Sequence, residues 1–239
     1  MRRFIPVLLV LFALTPAFTF AFSLVINPYS QLNLGDVTST SFPSYTTKNT
    51  GVFLNTTFDM ASAGAVVAGL DTSLFFNANS SFTTTKYDFY VEPNAQYNIS
   101  TFSAKLGLPL DLVSSTTPAN VFPSFYLTLS YKVAIDKTTS VTASLYKTTV
   151  YTTFAKLDIQ PRVAASFGAL GAYLNLKIPN LGTATGGNGM TLTPDVSYKL
   201  GDFTIEGLID IGNLNPSTAG AAATITPQVK FQYSTKVSF

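Results

Sequence analysis

The sequence predicts an all-β chain of about twelve antiparallel strands in up-and-down order, each with one apolar and one polar face. Three observations predict it. Apolar and polar residues alternate with a period of two along most of the 239 residues, which sends successive side chains to opposite faces of a strand. Gly, Asn, Asp, Ser and Pro punctuate that alternation at hairpin spacing, and helical periodicity is nowhere sustained. Only 11% of residues are charged and mean hydropathy is +0.29. An ordinary globular domain carries about 25% charge, so this surface is not built to be solvated all round.

The chain opens with Arg2 and Arg3, an apolar run from Phe4 to Leu14, and then small residues. That run is too short for a membrane helix, which needs about 20 residues, and reads as a secretory signal peptide. Residues 1–21 are therefore expected to be removed, with cleavage after Ala21 and rival sites at Ala17 and Ser23; residues 22–239 form the folded unit.

The first strand is expected over Leu24 to Leu34, followed by a Ser/Thr-rich stretch, and the second over Gly51 to Asp59. A small-residue turn at Ala61 to Ala65 leads to the third, Val66 to Ala78, where Val66, Ala68, Leu70, Thr72, Leu74 and Phe76 share a face. The fourth, Thr85 to Ile99, alternates most cleanly: Tyr87, Phe89, Val91, Pro93, Ala95, Tyr97 and Ile99 oppose Lys86, Asp88, Tyr90, Glu92, Asn94, Gln96 and Asn98. The fifth runs from Phe102 to Leu112, the sixth from Phe125 to Ile135 and the seventh from Thr139 to Tyr151. The eighth is expected from Ala155 to Phe167, the ninth from Ala172 to Ile178 and the tenth from Met190 to Leu200. The eleventh covers Phe203 to Ile211 and the last Thr224 to Phe239.

The connections alternate in length. Tight turns near Ala61, Ser100, Lys137, Ala169 and Gly201 belong on one rim, and the loops from Gly35, Val113, Pro179 and Gly212 on the other. The connections after Ala78 and near Thr149 are short. A second regularity is the pattern apolar-x-Pro-x-apolar, around Pro93, Pro123, Pro161, Pro194 and Pro227, recurring at about one hairpin's length on every even-numbered strand from the fourth. Proline cannot donate to a ladder, so each should sit at a rim or a bulge.

Composition excludes several functions. The chain has no Cys and no His, so Ser-His-Asp and Cys-His nucleophilic sites and His-ligated metal centres cannot be built. A carboxylate-only enzyme stays open in principle. Without Arg2 and Arg3 the basic and acidic side chains balance, so there is no basic excess to neutralise a nucleic acid. Glycine-rich Gly182 to Gly189 lacks the Lys-Ser/Thr of a phosphate loop and reads as a surface loop. No cofactor or metal is expected.

The terminal segment, TITPQVKFQYSTKVSF, alternates strictly and ends on Phe239. With the leader and the strand pattern, it resembles the closing strand of bacterial outer-membrane β-barrel proteins of the porin-like kind. The resemblance implies a single up-and-down transmembrane β-barrel of about twelve strands, located in the outer membrane with both termini periplasmic. It implies that Phe231, Tyr233, Val237 and Phe239 are the signal read by the barrel-assembly machinery. It also implies a channel for small hydrophilic solutes or ions in contact with outer-membrane lipid, with homo-oligomers possible. Charge on the lipid face costs about 2–4 kcal/mol per Lys or Arg at the midplane, so the polar face should line the lumen. Its expected residues are Lys86, Asp88, Glu92, Lys105, Asp111, Lys132, Lys156, Asp158, Arg162, Lys177, Asp195, Lys199, Glu206, Asp210 and Lys230, with Lys236 near the end. Asp158, Arg162, Glu206 and Asp210 are expected in cross-strand ion pairs. Tyr173, Tyr198, Phe203 and Phe239 suit interfacial girdles. The alternatives are a structural or adhesive barrel with a closed lumen, and a secreted β protein outside the membrane.

Overall fold

A computed structural model describes residues 21–39, 46–78, 84–114, 124–151, 157–182, 189–215 and 222–238. They form one antiparallel sheet closed on itself, and its fifteen strand segments make twelve strands. β1 is Ala21–Asn33, β2 Thr46–Ala63, β3 Val66–Ala78 and β4 Thr84–Ile99. β5 comprises Phe102–Gly107 and Leu110–Ser114, two segments that both pair with β4. β6 is Ser124–Ala134 and β7 Thr139–Tyr151. β8 comprises Leu157–Ile159 and Pro161–Phe167, which share both neighbours. β9 is Leu170–Leu181, β10 Thr191–Leu200 and β11 Phe203–Gly212. β12 comprises Thr224–Tyr233 and Thr235–Ser238, both paired with β1. That last pairing, with Tyr29 opposite Gln232 and Leu24 opposite Val237, closes the ring. Closure leaves both first and last strands paired, which removes the exposed edges of an open sheet, while Leu110–Ser114 is paired on the β4 side alone among the described residues.

The expected up-and-down order is therefore observed, and so is the separation of short turns from longer loops. Four of the five connections on the rim shared with Ala21 and Ser238 are two-residue turns: 64–65, 100–101, 168–169 and 201–202. Gly64, Gly168 and Gly201 take left-handed φ of 60–61° there, a conformation that costs glycine little. The strands differ from expectation mainly in length. β2 extends beyond Gly51 to Asp59 at both ends, because β-branched Thr46, Thr47 and Thr50 suit a strand, and the register shift between Asp59 and Ala61 absorbs one residue. β9 likewise outruns Ala172 to Ile178.

The prolines lie where ladders break. Pro93, Pro161, Pro194 and Pro227 each keep register with the preceding strand, opposite Leu70, Leu145, Leu174 and Ile209. On the following side the ladder is interrupted beside each of them. Between β4 and β5 it skips from Asn94–Gly107 to Val91–Leu110. Between β8 and β9 it skips from Arg162–Asn175 to Ile159–Ile178. Between β10 and β11 it skips from Asp195–Leu208 to Leu192–Ile211. Beside Pro227 the β1 ladder ends at Asn33–Gln228, and the Pro227 carbonyl accepts Leu34 N at 3.0 Å. The missing N–H thus falls where no partner strand needs it. Pro93, Pro161 and Pro194 each stand six residues before the end of their strand, at Ile99, Phe167 and Leu200, so these three gaps lie at one distance from the turn rim. Pro123 lies outside the described residues.

The two faces of the wall are chemically opposite. Large apolar side chains stand exposed on the outside of β3 to β12, among them Tyr131, Val163, Leu174, Val196 and Phe231. Several cluster at the turn rim, where Leu200 is 66% and Phe203 58% exposed. Phe203 packs on Tyr233 with centroids 4.9 Å apart, and Phe22 on Phe58 at 4.8 Å. Tyr198 and Phe203 stand exposed near the turn rim.

Candidate functional site

The polar face is the concave one, because the sheet closes on itself with its large apolar side chains exposed on the outside. Strands two apart are separated by about 9.5 Å, and the inward curvature of the wall shortens that distance for side chains on this face. Lys105 on β5 reaches across β4 to Asp71 on β3 at 2.6 Å. Tyr126 on β6 reaches across β5 to donate its hydroxyl to Glu92 on β4. Tyr29 on β1 and Phe75 on β3 have centroids 6.2 Å apart.

From these contacts a belt can be followed around the lumen, with every strand contributing. It begins with an acidic cluster neutralised from several sides. Glu92 is only 3% exposed, a costly place for a carboxylate unless it is paired. It has Lys105 Nζ at 3.1 Å and accepts hydrogen bonds from the Tyr90 and Tyr126 hydroxyls. Asp71 takes Lys105 and the Asn94 amide, the latter at 3.0 Å. Tyr126 reaches Glu92 because the residue opposite it on β5 is Gly107. A Cβ at Gly107 would lie 2.5 Å from the tyrosine ring, so the ring covers the glycine and fills its place in the wall.

Next along the wall, Lys147 Nζ lies 5.4 Å from the centroid of Tyr126 and 6.0 Å from that of Tyr146. Arg162 on β8 is stacked between two rings, 3.8 Å from the Tyr173 centroid and 4.9 Å from that of Tyr146. Asp195 on β10 follows. It is 3% exposed and within electrostatic reach of Tyr173, Glu206 and Arg162, yet neither carboxylate oxygen makes a hydrogen bond of ordinary geometry. Glu206 on β11 pairs with Lys230 on β12 at 3.1 Å, and Lys230 lies 6.0 Å from the Tyr29 ring. Tyr29, Phe53 and Phe75 stack in succession, at 5.1 and 4.5 Å, and return the belt to β3.

A polar network lies beside the belt. Gln228, 2% exposed, donates to Asp210 at 2.6 Å and accepts from Gln31, while Asp210 also accepts from Thr193 at 2.8 Å. Asp158 on β8 accepts from the Tyr151 hydroxyl at 3.0 Å and from Asn180 N at 2.7 Å.

The expected pore-lining residues thus divide. Glu92, Lys105, Arg162, Asp195, Glu206 and Lys230 are in the belt, and Asp158 and Asp210 in hydrogen-bonded groups of the wall. Lys132, Lys177 and Lys199 are exposed, and register puts them on the same face. Lys86, Asp88 and Asp111 are placed by backbone register alone, opposite Asn77, Phe75 and Tyr90. Lys156 and Phe239 lie outside the described residues. Of the expected ion pairs, that of Glu206 forms; among the described residues Arg162 lies on aromatic faces, and Asp158 and Asp210 take hydrogen bonds instead of cations. Tyr173 is not in a girdle. It pairs in register with Asp195 and therefore faces inward, because strand parity and not aromatic character decides the side.

Sequence reasoning missed Asp71 and Lys147. Asp71 was detectable, since the apolar set Val66, Leu70 and Leu74 puts it on the other face. Lys147 was not. By simple alternation it shares the outward parity of Leu145, but the β6–β7 register shifts between Leu127 and Leu129 at a bulge that contains it. There Lys147 has φ of 43° and its N–H donates to Thr128 Oγ1 at 3.0 Å. A left-handed conformation costs a non-glycine residue roughly 1–2 kcal/mol, and here it turns a cation inward.

No family model matches the chain, and no curated protein matches it. Solved structures do. The KdgM porin aligns at 13% identity over 87% of this chain and 98% of its own, with a TM-score of 0.51. The chain has a porin-like barrel fold. Weaker alignments include OpdL of Pseudomonas aeruginosa, at 9% identity over 92% of this chain and 99% of its own, with a TM-score of 0.41. An outer membrane channel of Pseudomonas putida F1 aligns at 7% identity over 92% and 97%, with a TM-score of 0.43.

Proposed function

We propose that the chain is an outer-membrane channel through which small hydrophilic solutes or ions diffuse passively. The observation that carries this reading is the belt of charged and aromatic side chains on the inner face of a closed wall whose outer face is apolar. An apolar exterior suits lipid, and charge confined to the concave side suits a wet interior. Twelve strands enclose more space than the eight whose interior side chains fill, and less than the sixteen of an open aqueous channel, so the pore is narrow. The porin-like fold supports a channel in preference to an enzyme. In this reading both termini are periplasmic and the last strand is read by the barrel-assembly machinery. Further copies of the chain are candidate partners in the membrane.

The test starts with the full chain expressed in a Gram-negative host. Outer-membrane fractionation and heat-modifiable gel mobility report insertion, and the purified barrel in planar bilayers reports conductance. Stepwise conductance is the expected result. A folded, membrane-inserted barrel that never conducts would overturn the channel and favour a closed structural barrel.

A further inference from the structure

The belt contains four cations, and they are held in two ways. Lys105 and Lys230 are in ion pairs with Asp71, Glu92 and Glu206. Lys147 and Arg162 are in none among the described residues, and both rest on aromatic rings. They flank the same ring, that of Tyr146. Arg162 has Asp195 and Glu206 within electrostatic reach, whereas Lys147 is exposed with Tyr126 and Tyr146 as its cation–π partners.

We propose that Lys147, with Arg162 beside it, forms a docking subsite for the carboxylate group of a permeating solute; the proposal rests on the channel reading above. The guanidinium carbon lies 4.9 Å from the Tyr146 centroid and 3.8 Å from that of Tyr173, and neither ring takes up its N–H donors, which match a planar carboxylate. The ammonium of Lys147 supplies a second, flexible point charge. Aromatic faces hold Lys147 in position without neutralising it, as a carboxylate partner would, and Arg162, though within electrostatic reach of Asp195 and Glu206, is in no ion pair among the described residues. The bulge supports the assignment. Lys147, with φ of 43°, is the one charged residue among the non-glycine positions of positive φ in the described residues, and local backbone strain of this kind is found at ligand sites.

The experiment uses the full-length barrel in planar bilayers, with citrate as the probe and block of the potassium chloride current as the readout. Lys147→Gln removes the charge. Lys147→Gly removes it too and suits the left-handed backbone, which protects the test against misfolding, and heat-modifiable mobility checks both variants. Both should raise the half-blocking citrate concentration about tenfold, equivalent to ~1.4 kcal/mol. Lys137→Gln, in an exposed turn, should not change it. An unchanged half-block in both variants overturns the proposal. So does a loss confined to inorganic phosphate, run as a second arm, because the site would then be a phosphate site. If the wild-type barrel does not conduct, the channel reading fails by itself. Calorimetric titration of citrate into the micelle-folded barrel then decides the subsite: weaker binding to Lys147→Gln supports it, and equal or absent binding to both proteins overturns it.

Discussion

Replacing Gly107 by alanine should destabilise the barrel through a side chain on another strand. The new Cβ would lie 2.5 Å from Tyr126 Cζ and 2.8 Å from its hydroxyl oxygen. Ordinary contact needs roughly 3.4 Å or more, so the ring must shift by about 1 Å. A shift of that size breaks the hydrogen bond from the Tyr126 hydroxyl to Glu92. Hydrogen bonds to charged groups contribute about 1.5–3 kcal/mol, and Glu92 at 3% exposure has no water to replace the lost donor. Against this stands about 0.4–1 kcal/mol from the reduced freedom of the unfolded chain when glycine becomes alanine. The net loss is about 1–2 kcal/mol. With a urea slope of about 1–3 kcal/mol/M, the unfolding midpoint in micelles should fall by roughly 0.5–1 M. Because the penalty acts only through the ring, Gly107→Ala should cost nothing in a Tyr126→Ala background, a non-additivity that a double-mutant cycle measures. Equal costs in both backgrounds would refute the idea that the ring covers the glycine.

Three further outcomes follow from other parts of the wall. Asp136 accepts from Thr138 N at 2.7 Å, Thr138 Oγ1 at 2.9 Å and Thr139 N at 2.8 Å, and these bonds hold its carboxyl below the ordinary 3.8. A depressed folded-state value stabilises above the unfolded one and is lost as pH falls through the folded one, so Asp136→Ala should weaken the barrel at pH 7 and cease to matter in strong acid. Unfolding at the two pH values checks this, and a pH-independent difference would contradict it. Deleting Phe239 should abolish membrane insertion while leaving secretion intact, with a change at Lys236 doing little; equal membrane yields would refute the assembly role. The expected lumenal set has nine cations against seven anions, which gives a mild anion preference, and replacing Lys156 and Arg162 together by Glu should turn it into a cation preference, because a narrow low-dielectric lumen screens poorly. Reversal potentials under a salt gradient read it directly, and an unmoved potential would place these residues off the permeation path.

The sequence by itself determined the architecture, and the reason is the period of two. Alternation through Val66 to Phe76 and Tyr87 to Ile99 assigns one face to hydrocarbon, and a one-residue slip would expose that whole set to the lumen, so register follows from pattern. The scarcity of charge and the placement of glycines such as Gly64, Gly168 and Gly201 located the hairpins for the same local reasons. Only the tertiary structure decided which inward residues meet. Glu92, Lys105 and Asp71 come from three strands, and Tyr126 joins them only because Gly107 leaves a gap between. The ladder breaks that explain Pro93, Pro161 and Pro194 belong to pairs of strands and not to any one of them. Lys147 shows the limit most clearly: a single bulge reverses parity, and no periodicity within β7 records where the partner strand skips a residue.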